Sequence, residues 1–157
     1  MPRRAPGPAL LAAAALASGC GGLFSASELR ARHAELIAAR QKWTAHGIAS
    51  YRYRFQYLCF CPASLIQPIE ITVRGGRLSA VVDPLTGRPA PEVAGQPRPT
   101  VDELFGFVES AIDRRVDRLT VAYDPVLGYP TLIRVDPRLD AVDEEQSYYA
   151  SGLTRID

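Results

Sequence analysis

Cys59 and Cys61 are the residues closest to a chemistry. Spaced by Phe60 and followed by Pro62, they fall on one side of a strand-like run. In a regular strand their Cα atoms would lie roughly 6.6 Å apart, near the upper limit for a disulfide. A bend imposed by Pro62 would bring them into range. Closing so short a loop stabilises by only about 1.6 kcal/mol, against about 3 for fifteen residues. The Cys59/Cys61 pair is therefore read as a structural disulfide pinning a strand end, as free or otherwise paired thiols, or as a redox or metal site. A zinc site would need two further ligands, and none lies nearby in sequence.

The acidic stretch Asp136, Asp140, Asp143, Glu144 and Glu145 offers oxygens to Ca²⁺ but lacks EF-hand spacing. It reads as a solvated turn. His33 and His46 fall on nearly opposite faces of one helix, so they do not act as a pair there. There is no nucleophile elbow and no phosphate-cradling glycine loop. No catalytic residue, metal or cofactor is assigned. The tyrosines read mainly as core, with Tyr129 and Tyr148 as a binding surface if the uncovered sheet face displays them.

Cys20 speaks to location. It follows Arg3-Arg4, the apolar run Ala9–Ala17 and the small pair Ser18-Gly19. A basic start, a short apolar segment and a small-residue cleavage site make an export signal. The run is about half of the ~20 residues a membrane-spanning helix needs. Ala17-Ser18-Gly19-Cys20 resembles the bacterial lipobox, whose cysteine thiol receives a diacylglyceryl group, although Ala17 stands where leucine is usual. One acyl chain, such as palmitate, holds a protein marginally; two or three anchor it stably. The expected divisions are a signal peptide at 1–19, a lipidated tether at 20–26 and a single domain at 27–157. Gly21 gives no strong inner-membrane retention signal, so the outer membrane is the expected destination.

The positioning elements are read from periodicity. Ser25 and Glu28, then Thr100 and Glu103, have capping-box spacing and open two helices. Leu29, Leu36, Ile37 and Trp43 mark the first helix, with Gly47 as its stop. Leu104, Phe105, Val108, Ala111 and Ile112 form the apolar face of the second. Tyr51 to Cys59 alternates strictly, as does Ile69 to Val73, and Gly75-Gly76 makes a hairpin to Arg77–Val82. Leu119–Tyr123, Thr131–Val135 and Ser147–Leu153 read as strands. Residues 83–99, rich in Pro and Gly, read as an exposed, mobile loop. The expected fold is α+β: a mainly antiparallel sheet with two helices packed on one face, in helix–three strands–helix–three strands order. The second half repeats the element order of the first, with no convincing residue-level repeat.

Several spaced motifs occur in order: Trp43 before Tyr51-Arg52-Tyr53, Cys59-Phe60-Cys61, Pro99 to Phe105, Tyr123-Asp124-Pro125, Gly128-Tyr129-Pro130, Val135-Asp136 and Asp143-Glu144-Glu145. Over residues 43–153 the chain resembles a domain-of-unknown-function family of bacterial secreted proteins and lipoproteins. The resemblance implies a compact extracytoplasmic domain and no transferable activity. The layout is also similar to the tandem secreted β-lactamase-inhibitor proteins, a likeness that transfers no function. Net charge is +1, and Arg3 and Arg4 leave with the signal, so nothing marks a nucleic-acid surface. The expected function is a membrane-tethered, non-enzymatic binding or structural domain with an envelope protein partner. The alternative is a periplasmic redox protein using Cys59 and Cys61.

Overall fold

The computed structural model describes residues 25–157. Cys20, the signal at 1–19 and the tether up to Phe24 lie outside them. Helix α1 spans Ala26–Ala45, and strands β1 (Tyr51–Cys59), β2 (Ile69–Arg74) and β3 (Arg77–Val82) follow. Helix α2 (Val101–Asp113) precedes β4 (Arg118–Tyr123), β5 (Pro130–Asp136) and β6 (Gln146–Arg155). Among the described residues the fold is α+β, with two helices and one six-stranded antiparallel sheet ordered β3-β2-β1-β6-β5-β4.

Local chemistry explains the element ends. Both capping boxes form: Ser25 and Thr100 accept from the N–H groups of Glu28 and Glu103, whose carboxylates accept in return. Each satisfies backbone donors the first helical turn leaves free. At Gly75 and Gly76, φ of 55° and 76° closes the tight β2–β3 hairpin.

The sheet has two ends. At the upper end β1, β3 and β5 finish and β2, β4 and β6 begin, as the pairs Cys59–Gln146, Glu70–Val82 and Arg118–Asp136 record. Helix α2 climbs from the lower end and α1 descends beside it, with His33 near Asp113 and Arg40 bonded to Glu109. The Arg32 guanidinium donates to the Leu119 carbonyl at 2.8 Å, so α1 starts at the upper end. Its Ile37 is exposed, and Leu36, Ala39 and Trp43 alone are buried.

The core lies between the helices and one sheet face. Tyr51, Tyr53 and Phe55 of β1, Ile69, Ile71 and Val73 of β2 and Leu104, Phe105 and Val108 of α2 belong to one buried cluster. Burial of this apolar surface, at about 25 cal/mol per Å², is the main force holding the layers together.

The two halves are not duplicates. Equivalent strands (β1 and β4, β2 and β5, β3 and β6) run in opposite directions. Superposing them would turn the sheet over and put the helices on opposite faces, yet α1 and α2 pack together. A residue-level repeat exists elsewhere. Residues 77–90 and 118–131 align without a gap and share Arg, Leu, Asp, Pro, Gly and Pro. Their turns are built alike. Asp83 Oδ1 accepts from the N–H groups of Leu85 and Thr86, and Asp124 Oδ1 from those of Val126 and Leu127. Gly87 and Gly128 each donate to the carbonyl of the turn's Asp.

Candidate functional site

The exposed 83–99 loop is tied to the upper end of the sheet by several bonds. Val82 pairs with Pro89, and Ala90 N–H donates to Val81. The Gln96 amide donates at 3.2 Å to the carbonyls of Leu65 and Gln67. These bonds hold the loop off residues 64–69 and leave a pocket of about 230 Å³ between them. Its walls are mainly apolar, from Pro68, Ile69, Pro84, Leu85, Ala90 and Val93, with Ser64, Gln67 and Asp83 adding polar groups. A pre-formed concave apolar surface with a few convergent polar groups is what a binding site requires. Sequence reasoning singled out the loop but not the pocket, because Gln96 finds its acceptors far away in sequence.

Next to this pocket, β1 ends in the cysteine turn. The Cys61 N–H donates to the Cys59 carbonyl at 3.0 Å. That three-residue turn draws the Cα atoms to 5.3 Å and brings the sulfurs into bonding contact. The turn, rather than a regular strand, supplies the bend the pairing needs. Phe60 is left projecting at its apex, largely exposed.

Tyr129 and Tyr148 do not lie on the uncovered face. Tyr129 is buried against Trp43, with ring centroids 6.3 Å apart. Tyr148 stacks with Tyr57 at 5.2 Å and meets Phe107 of α2 at 5.1 Å. Both thus face the helices. Tyr149, the neighbour of Tyr148, takes the opposite face by strand alternation. There it accepts from Arg134 at 3.3 Å, and Arg52 and Arg54 share that face.

The other tyrosines secure the fold. The Tyr53 hydroxyl donates to the Pro99 carbonyl, and the Tyr51 hydroxyl accepts from the Val101 N–H at 2.8 Å. Two β1 residues thereby seat the start of α2. Burial pushes Tyr51 up to about 12 and moves Tyr53 further in the same direction. Burial likewise pushes Tyr123 and Tyr148 up to about 12, and raises Tyr57 and Tyr129. Phenols held neutral in this way do not act as bases near neutral pH.

The remaining candidates are dispersed. Asp124 organises its turn, and Asp136 is buried opposite Arg118. In the acidic connection, Arg138 pairs with Glu144 at 2.9 Å. A ring nitrogen of His46 lies 3.0 Å from the Val126 carbonyl at the lower end, whereas His33 stands 3.9 Å from Asp113 near the upper end. Among the described residues, no group of three His, Cys, Asp or Glu side chains is placed to hold a metal ion. No helix among them is long and apolar enough to cross a membrane.

The motifs that carried the family resemblance thus map onto fold-holding contacts. Trp43 packs edge-on against Tyr51 at 5.4 Å, Gly128 meets α1 backbone, and Pro99-Thr100-Val101 receives the β1 tyrosines. No curated protein and no solved structure matches the chain. A family profile does match, from residue 35 to residue 155, and spans every element but the first turns of α1. The chain belongs to the family of unknown function DUF6174.

Proposed function

We propose that this chain is a lipid-anchored, non-enzymatic binding domain of the bacterial cell envelope. It is tethered through Cys20, in the outer membrane, and takes an apolar segment of an envelope protein into the pocket beside the 83–99 loop. The observation that carries the binding reading is the pocket itself, apolar and held open by Gln96. Pre-organisation of this kind lowers the ordering cost of binding. Photo-crosslinking in cells from position 93, on the pocket wall, with position 126 as the far-end control, tests it. A discrete adduct from 93 that is absent at 126 is expected. Identical patterns from both positions would overturn the pocket reading.

A second reading rests on the bonding contact of Cys59 and Cys61 at an exposed turn. In it, the pair exchanges with a partner dithiol, which is oxidised as the bond is reduced. Equilibration with a thiol buffer decides the matter. A bond still oxidised below about −300 mV behaves as structural and sinks the redox role.

A further inference from the structure

We propose that the upper end of the sheet seats directly on the lipid surface that holds Cys20, with Phe60, Leu85, Leu139 and Val142 as its contact residues. This rests on the anchoring reading above. The first argument is chain length. Five residue steps separate Cys20 from Ser25, the N-cap of α1, and span at most about 18 Å. Because α1 begins at the upper end, that end is the one the anchor holds near the bilayer. The intervening Gly21-Gly22-Leu23-Phe24 is uncharged, so nothing in it resists the interface.

The second argument is where exposed apolar side chains fall. Phe60 is 77 % exposed, Leu85 92 %, Val142 83 % and Leu139 45 %. They project from three separate upper-end connections: the cysteine turn, the Asp83 turn and the β5–β6 connection. Among the described residues, the other large exposed apolar side chains are Ile37 on α1 and Leu78 and Val126, one near each lower-end hairpin. Isolated apolar residues on a surface need no explanation. Their gathering at the anchored end, on loop tips free of the core, does. A bilayer interface accepts such side chains and adds their burial to that of the acyl chains.

Charge selects the lipid. The connection that carries Leu139 and Val142 holds Asp140, Asp143, Glu144 and Glu145 against one cation, Arg138, which pairs with Glu144. These carboxylates oppose an anionic surface and suit the ammonium of an ethanolamine headgroup. The occupant is therefore a zwitterionic bilayer.

The lipidated protein in phosphatidylethanolamine-rich vesicles with brominated acyl chains tests this. Bromine quenches indole emission within the bilayer. The single native tryptophan, Trp43, is buried near the lower end against Tyr51 and serves as an internal reference. F60W and V142W are expected to lose at least half of the added emission, and V126W, at the lower end, none. Lipidated protein that floats with the vesicles while F60W and V142W stay unquenched overturns the proposal and leaves the anchor standing. Equal quenching at position 126 overturns it too. Mature protein shown by mass spectrometry to carry no lipid on Cys20 overturns the anchor and, with it, the proposal.

Discussion

At the scale of single residues, the repeated turn gives an internal comparison. Gly87 and Gly128 hold equivalent places, with φ of 68° and 85°. A Cβ on Gly87 would meet nothing within 4 Å, whereas one on Gly128 would stand 2.5 Å from the Ala39 carbonyl oxygen and 2.9 Å from Lys42 Cβ. Gly87→Ala should therefore cost only left-handed strain, about 1–2 kcal/mol. Gly128→Ala adds a clash with helix backbone, which cannot swing aside, and should cost about 3 kcal/mol or more. Urea denaturation of both variants measures the difference. Equal losses would mean that the 123–130 turn can back away from α1. The sequence shows two Asp-Pro-x-x-Gly turns, but it does not show that only one is pressed against a helix.

At the scale of elements, the two helices are held differently. Helix α2 buries Val101, Leu104, Phe105, Val108, Ala111 and Ile112, while the longer α1 buries Leu36, Ala39 and Trp43. The first two turns of α1 rest on the capping box, the Arg32 bond and the partial packing of Leu29. Amides of residues 30–34 should thus exchange through local opening, at least about 2 kcal/mol below global unfolding, while those of α2 should exchange only with the global event. Hydrogen exchange followed by mass spectrometry reads both, and uniform protection across α1 would refute the difference. This scale also shows what was legible. Capping boxes and strand alternation are local patterns, so β1, β2 and both helix starts could be read directly. Which face Tyr148 takes was not, because adjacent residues alternate and the choice rests on Tyr57 pairing with Tyr148 across the sheet. The pocket was hidden for the same reason, since its walls are joined by long-range bonds from Gln96. The repeat at 77–90 and 118–131 escaped because it links β3 to β4, out of step with the halves suggested by element order.

At the scale of the molecule, the stripe of buried phenols ties stability to pH. Each of Tyr51, Tyr53, Tyr123 and Tyr148 titrates higher in the folded chain than its ordinary value of 10.0, chiefly through burial. A group whose folded value is raised contributes stability that is complete below its unfolded value and is lost as pH climbs through the folded one. The protein should therefore hold constant stability with respect to these groups up to about pH 10 and lose it steeply towards about 12. Phenolate absorbance of the buried rings should rise together with the loss of near-ultraviolet circular dichroism, not before it. Tyr51→Phe gives the decisive comparison. At neutral pH it removes the acceptor for the Val101 N–H and should cost about 1–3 kcal/mol. It also removes one of the groups that drive alkaline unfolding, so the gap to the wild type should narrow as pH passes 10. A gap that stays constant through that range would mean Tyr51 ionises without disturbing the β1–α2 junction. The hydrogen-bonded seat for the start of α2 on β1 would then rest on the bond from the Tyr53 hydroxyl to the Pro99 carbonyl.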